Sequence, residues 1–335
     1  MQGITDTLGR PLRDLRISVT DRCNFRCTYC MPKEVFGREY QFLERDELLT
    51  FEEIERLARV FVVHGITKIR LSGGEPLIRR NLERLVEMLA HIPGLDLAMT
   101  TNASLLAHKA EPLRRAGLER ITVSLDSLDN EVFMAMNDVR FPVDRVLEGI
   151  EAAEASGFHP IKINCVIRKG MNEHTVVDMA RRFKGTGHIV RFIEYMDVGT
   201  TNGWRLDDVV PARQIVEMID AEMPIEPVEP NYEGEVANRY RYRDDSGEIG
   251  IIASVSQPFC GSCTRARLSA DGSLYTCLFA TIGHDLRAAL RSGASDDEIS
   301  NLIAGVWARR GDRYSEIRSA ETAAMPKVEM SYIGG

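Results

Sequence analysis

The 335-residue chain has no apolar run able to cross a bilayer: the longest, Leu57 to Ile66, is interrupted by Arg59 and His64. Its start, MQGITDTLGRPLRD, lacks both the apolar core of an export signal and the Arg-rich, acid-poor character of a transit segment. The expectation is a cytoplasmic protein with no membrane partner. Neither a Walker P-loop nor G-x-G-x-x-G occurs, so the usual nucleotide cradles are missing. None of the seven histidines falls in an H-E-x-x-H pattern, which excludes a zinc protease of that type. Basic residues are outnumbered, 42 Lys+Arg against 50 Asp+Glu, and the resulting charge of −8 argues against broad nucleic-acid binding. Cysteine is scarce, and its count of seven is odd, so a disulfide framework is excluded in a chain with no export signal. With 44% hydrophobic and 27% charged residues, the composition is that of a globular protein rather than a disordered one.

What the chain does have is a strict alternation. From Leu15 to about Val198, short β-rich runs alternate with stretches of helical period. The strand candidates are residues 15–20, 66–72, 95–101, 120–125, 161–167 and 189–196. One intervening helix has Ile54, Leu57, Ala58 and Phe61 on one face behind a Thr50–Glu53 capping box. Leu82, Leu85, Val86 and Leu89 mark a second, and Val143, Val146, Leu147 and Ile150 a third. Repeated βα units demand parallel strands joined by crossover helices. Six units fall short of the eight in a closed barrel, so the fold class is α/β: an open, partial TIM-like (β/α)6 barrel, over residues 1–222. Chemistry in such folds sits at the C-terminal strand edges, where Asp21–Cys30, Gly73–Pro76 and Thr100–Asn102 fall.

Past Gly199 the alternation stops. A helix is expected over Ala212–Ala221, then a Pro- and Glu-rich connector over 223–235. Two hairpins follow, turning at Asp244–Gly247 and at Asp271-Gly272. A last helix, capped by Ser295 and Glu298, is expected to turn Ile299, Leu302, Ile303 and Val306 inward. Residues 223–335 read as a small, irregular C-terminal module, tied together partly by its cysteines.

Six of the cysteines form two triplets, Cys23/Cys27/Cys30 as C-x3-C-x2-C and Cys260/Cys263/Cys277 as C-x2-C-x13-C. Three thiols on one loop suit zinc or an iron–sulfur cluster. Structural zinc usually takes four protein ligands, and neither triplet has a close histidine. A cubane held by three cysteines keeps one iron open to a small molecule. A cluster is the preferred reading at both triplets; zinc is the alternative, especially at the second, whose spacing is less distinctive. Cys165, mid-strand among apolar neighbours, reads as a buried core thiol.

Cys23-Asn-Phe-Arg-Cys27-Thr-Tyr29-Cys30 resembles the radical S-adenosylmethionine signature, C-x3-C-x-aromatic-C, and Ser72-Gly73-Gly74-Glu75-Pro76 resembles that superfamily's GGE motif, which binds the methionyl amino group. The second triplet, the Arg265/Arg267 pair and the terminal Gly334-Gly335 narrow the resemblance to the GTP 3′,8-cyclase family of molybdenum-cofactor biosynthesis, across Arg16 to Gly335. One departure is Ala103, where the family commonly has glycine after Asn102.

The resemblance implies a radical S-adenosylmethionine barrel, with a second cluster in the C-terminal module. It implies two [4Fe-4S] clusters, on Cys23, Cys27 and Cys30 and on Cys260, Cys263 and Cys277, with S-adenosylmethionine as the other cofactor. Tyr29, Gly74, Ser124 and Met196 would bind S-adenosylmethionine; Arg16, Arg70, Thr100 or Thr101, Lys162, Arg191, Arg265 and Arg267 would surround GTP. A 5′-deoxyadenosyl radical would take the ribose 3′ hydrogen, and C3′ would attack guanine C8. The second cluster would bind the guanine base, and the Gly334-Gly335 tail would reach the active site. A reducing electron donor and a downstream cyclic pyranopterin synthase are implied partners, and a homodimer is allowed. Two other readings stand: another radical S-adenosylmethionine enzyme with an auxiliary cluster, such as a peptide-modifying one, and a non-enzymatic iron–sulfur electron carrier.

Overall fold

A computed structural model describes residues 3–323 and 325–335. Strands β1 (Asp14–Ser18), β2 (Lys68–Ser72), β3 (Asp96–Thr101), β4 (Arg120–Ser124), β5 (Lys162–Ile167) and β6 (Ile189–Glu194) pair in parallel, in chain order. Helices cross over between them, as the alternation predicts. The helix Phe51–Val63 starts at the expected Thr50–Glu53 capping box and buries Ile54, Leu57, Ala58 and Phe61. Leu82, Leu85, Val86 and Leu89 are all buried on the next face. Among the described residues no helix is long and apolar enough to cross a membrane.

The C-terminal third does not form a sheet of its own. Its strands β7 (Ile225–Val228), β8 (Asn238–Tyr242) and β9 (Glu248–Ile252) extend one edge of the barrel sheet, with β9 parallel to β6. Strands β10 (Arg265–Leu268), β11 (Ser273–Tyr275) and β12 (His284–Asp285) extend the other, with β10 parallel to β1. The result is one sheet of twelve strands in the order β12-β11-β10-β1-β2-β3-β4-β5-β6-β9-β8-β7. Both predicted hairpins form. Strand β7, however, lies inside what the sequence presents as a connector. Pro227 is tolerated there because β7 is the outermost strand and pairs only with β8.

Strand periodicity decides what faces the barrel interior. On β1, β2, β5, β6 and β10 the apolar positions, such as Leu15, Ile69, Ile163, Val190 and Ala266, are buried in the core under the helices. The alternate positions carry Arg16, Arg70, Lys162, Arg191 and Arg267. A filled barrel has bulky branched residues at such inward positions. Here they are cationic, so the interior is a cavity rather than a packed core.

Two expectations need correction or completion. Leu302 is 46% exposed, whereas Ile299, Ile303 and Val306 are buried. The core-facing stripe steps by four and then three residues, and Leu302 lies one residue, or about 100°, off it. Ala103 keeps the turn that glycine would make more easily: its φ is 60°, the left-handed region, at a cost of about 1–2 kcal/mol for a residue with a Cβ. Cys165 is fully buried, as expected, with its thiol directed at the Asp126 carbonyl at 3.3 Å.

Candidate active site

The first triplet occupies the loop that leaves the C-terminal end of β1, the upper rim of the barrel. A tight turn donates the Cys30 and Met31 amides to the Cys27 carbonyl, each at 2.9 Å. Arg26 pins the loop by donating to the carbonyls of Cys23 (2.8 Å), Phe25 (2.7 Å) and Phe36 (2.7 Å). The Tyr29 hydroxyl donates to Asp126 at 2.7 Å, tying the loop across to β4. Gly73 and Gly74 press against the same loop. A Cβ at Gly73 would stand 2.4 Å from the Thr20 carbonyl oxygen, and one at Gly74 2.2 Å from that of Arg22. Only glycine lets the two backbones approach so closely.

Glu75 completes this rim. Its carboxylate accepts the Leu77 amide at 3.0 Å, the Thr101 hydroxyl at 2.7 Å and the Asn102 amide at 2.7 Å. Gly73, Gly74 and Glu75 all line the cavity. Burial pushes the Glu75 carboxyl up to about 7 and that of Asp126 up to about 6. The thiols move the same way: burial, with Glu75 adding, raises Cys23 to about 12, and burial with Asp126 raises Cys27 well above the usual thiol range.

The second triplet lies at the opposite rim. Cys260 and Cys263 precede β10, which runs parallel to β1, and Cys277 follows the antiparallel β11. Its surroundings are cationic. Arg265 donates to the Cys263 sulfur at 3.2 Å, and Arg310 donates to the Cys263 carbonyl at 2.7 Å. Burial alone would raise the Cys263 thiol, but Arg265 and Arg310 pull it down to about 6. Cys277, with less help, is pushed up by burial to about 11.

All six triplet thiols are free and partly buried. Among the described residues no histidine lines the cavity that the two triplets share. Each rim therefore offers three thiols without the histidine that commonly completes a zinc site, a donor set that fits a cluster with one open metal position.

One cavity is lined by both triplets. Between them, register aligns three guanidinium-bearing residues at one level: Arg16 lies opposite Arg70 on β2 and opposite Arg267 on β10. Arg70 donates to the Thr100 and Thr122 hydroxyls at 3.1 and 3.0 Å, and Arg191 to Asn164 at 2.9 Å. None of these partners is an acid, and Arg267 Nη1 is buried with no acceptor. Burial pushes Arg16 down to about 9, Arg70 and Arg191 to about 10, and Lys162 to about 8. Asp14 and Glu235 are the acids nearest this group, and cations that crowd and outnumber them call for a polyanionic ligand. Thr100 and Thr101 part company here. Thr101 is buried and committed to Glu75, while Thr100 joins Arg70.

Tyr29, Gly74, Ser124 and Met196 line the cavity on the side of the first triplet. The tail is not frayed. Ser331 and Ile333 are buried, Gly335 lines the cavity, and Gly334 has φ 77° with a would-be Cβ 2.3 Å from Ser72 Oγ. Glu329 secures it by accepting the Thr200 amide at 2.9 Å and the Thr200 and Thr201 hydroxyls at 3.0 Å. The motif reading did not single out Asp126, Glu329, Asp6, Arg10 or Arg310. Their only signal is three-dimensional, because each acts on residues far away in the chain.

Residues 17–183 match the family described as the Radical SAM superfamily, and residues 188–316 that described as Molybdenum Cofactor Synthesis C. Among curated relatives, the GTP 3′,8-cyclase of Acidothermus cellulolyticus is 56% identical, over 100% of this chain and 99% of its own. That of Xanthomonas campestris pv. campestris is 51% identical over 98% and 97%, and that of Staphylococcus carnosus 51% over 99% and 99%. Among solved structures, Streptococcus suis SuiB bound to S-adenosylmethionine aligns with a TM-score of 0.65 at 14% identity, covering 94% of this chain and 72% of SuiB. SuiB bound to its precursor peptide SuiA aligns at 0.62 and 15%, covering 88% and 64%. At that identity the likeness is one of fold, the radical S-adenosylmethionine barrel. The two family matches and the full-length relatives make the chain a member of the GTP 3′,8-cyclase family, within the radical S-adenosylmethionine superfamily.

Proposed function

We propose that this chain converts GTP to (8S)-3′,8-cyclo-7,8-dihydroguanosine 5′-triphosphate with S-adenosylmethionine, the first step of molybdenum-cofactor biosynthesis. The 5′-deoxyadenosyl radical that S-adenosylmethionine would supply takes the ribose 3′ hydrogen and leaves as 5′-deoxyadenosine. C3′ bonds to guanine C8, and the radical then left on the base takes one further electron from the reductant and a proton. The observation that carries this reading is the row of inward arginines, none hydrogen-bonded to a carboxylate among the described residues, set between two three-cysteine sites in one cavity. A peptide substrate gives those cations no partner, and an electron carrier gives the cavity no purpose.

In this reading Cys23, Cys27 and Cys30 hold one [4Fe-4S] cluster and Cys260, Cys263 and Cys277 another, each with three thiols on the shared cavity. The first cluster supplies, when bound, the electron that splits S-adenosylmethionine. Tyr29, the Gly74 backbone, Ser124 and Met196 orient that cofactor. Arg16, Arg70, Lys162, Arg191 and Arg267 hold the triphosphate by charge-assisted hydrogen bonds, with Thr100 rather than Thr101 beside them. Arg265, which reaches the Cys263 sulfur, would serve both GTP and the second triplet, where a cluster with one open metal position would supply a site for the guanine base. The Gly334-Gly335 backbone closes the cavity over the reacting ribose. Residues 1–222 carry the radical chemistry, and 223–335 carry the second triplet, Arg265, Arg267 and the tail. An electron donor must reduce the first cluster, and a cyclic pyranopterin synthase consumes the product.

Anaerobic reconstitution tests this. The protein should take up about eight iron atoms per chain, the sum of two cubanes. With reductant, S-adenosylmethionine and GTP it should form 5′-deoxyadenosine and the cyclised nucleotide together. One tightly held zinc without labile sulfide, or 5′-deoxyadenosine with no nucleotide product, would overturn the assignment.

A further inference from the structure

The N-terminal arm, residues 3–13, contains a buried charge cluster that the reaction as described does not use. The Asp6 side chain is fully buried, and those of Arg10 and Arg310 nearly so. Asp6 Oδ2 takes both guanidinium groups, Arg10 Nε at 2.6 Å and Arg310 Nη1 at 3.1 Å, while Asp6 Oδ1 accepts the Leu8 and Arg10 amides at 2.9 Å. Each arginine then reaches a cysteine of the second triplet. Arg10 Nη1 donates to the Cys260 carbonyl at 2.7 Å, and Arg310 Nη1 to the Cys263 carbonyl at 2.7 Å. Arg10 Nη1 also donates to the Asp312 carbonyl at 2.8 Å, just past Arg310 in the chain.

Burying charges like these is expensive, and replacing such a triad with apolar residues is often neutral or stabilising. The expense points to a role other than stability. Trp307 makes the arrangement rigid: Arg310 lies 4.5 Å over its ring, and its indole N–H donates to the Arg10 carbonyl at 3.1 Å. Around the triplet, four arginines (10, 265, 267 and 310) face three aspartates (6, 14 and 312), with Asp312 half-exposed at 3.4 Å from Arg310 Nε. Arg10 Nη2 is buried without an acceptor. A metal cluster on three thiolates is anionic and offers sulfur acceptors, which answers both the excess charge and the idle donor.

We infer that Asp6, Arg10 and Arg310 form a clasp that holds the Cys260–Cys263 loop in ligand geometry and stabilises the anionic cluster bound there. They are positioning residues and do not touch substrate. The inference rests on the two-cluster reading above. It predicts two separable effects, because the backbone contacts set how firmly the ligands are held and the charge sets how readily the cluster is reduced.

The test uses full-length protein reconstituted anaerobically, with wild type, Arg10→Gln, Arg310→Gln and Arg310→Lys compared. Iron release to a chelator and an EPR-monitored redox titration are the readouts. Both glutamine variants should lose the second cluster at least about tenfold faster, leaving about four irons per chain on the first triplet. Where their second cluster survives, its reduced-to-oxidised ratio at a fixed potential should fall about tenfold, a shift of about 59 mV for one electron. Arg310→Lys, which keeps charge but loses the fork, should still release iron quickly while its ratio returns toward wild type. The first cluster, unchanged throughout, reports that each variant is folded. Unchanged release and ratio in both glutamine variants overturns the clasp. So does equal loss from both triplets in Arg310→Lys, which would make the arm a general folding element. Wild type that holds only about four irons would instead sink the two-cluster reading itself.

Discussion

The two rims of the barrel present the same ligand set, three partly buried cysteines, in opposite electrostatic settings. At the upper rim burial raises each thiol above its ordinary range, and the charged neighbours that add to it are acids: Glu75 for Cys23, Asp126 for Cys27 and, after the Cys23 thiol, Glu329 for Cys30. At the lower rim they are arginines, and Cys263 is drawn down to about 6 against the effect of burial. The difference matches the ligands proposed for each end. S-adenosylmethionine carries a sulfonium and an ammonium group and suits an acidic rim. GTP carries a triphosphate and suits the arginines between the rims and below. The same three-thiol chemistry is thus directed to different tasks by what surrounds it.

Breaking the upper rim should have the largest effect. Cys23→Ser, Cys27→Ser or Cys30→Ser should abolish 5′-deoxyadenosine formation; formation at a wild-type rate would mean that S-adenosylmethionine is cleaved elsewhere. Deleting Gly334 and Gly335, of which Gly334 lies against Ser18 and Ser72 at the ends of β1 and β2, should leave both clusters intact but stop formation of cyclised nucleotide. Product per 5′-deoxyadenosine equal to full length would make the tail a packing element only.

Removing charge from the middle should be milder and selective. Arg267→Ala should weaken GTP binding by about 1.5–3 kcal/mol, the worth of a charge-assisted hydrogen bond. Binding of S-adenosylmethionine, measured by calorimetry on the same protein, should not move. The smallest effect is one of pH. Burial holds Lys162 down to about 8, so it is charged below that pH and neutral above it. GTP affinity should fall as pH rises through 8, by at most about tenfold per unit. Lys162→Arg should flatten that fall, and a pH-independent wild type would remove Lys162 from the triphosphate site.

The upper rim was legible in the sequence almost whole; of the lower rim the sequence offered the cysteine triplet and the Arg265/Arg267 pair but not what they meet. Cysteine spacing, the Gly-Gly-Glu turn and the six strands are local patterns within a few residues of one another. The lower rim depends on pairings that span the chain, above all β10 with β1, where Arg267 meets Arg16. No periodicity announces that contact, nor that Asp6 will hold Arg310. Local rules also failed where tertiary context overrode them. Pro227 disguised β7, whose edge position made the proline harmless, and Leu302 fell on the wrong side of a narrow helical stripe. The resemblance assigned Arg265 to the triphosphate, but its side chain also reaches the Cys263 sulfur, a contact visible only in three dimensions.

The central claim is that the two rims divide the work, S-adenosylmethionine cleavage above and substrate binding below. Its most direct test is the ratio of cyclised nucleotide to 5′-deoxyadenosine in a variant with Cys260, Cys263 and Cys277 all changed to Ser, assayed anaerobically with GTP. The division predicts continued, uncoupled 5′-deoxyadenosine formation with no cyclised nucleotide. A wild-type ratio would contradict it.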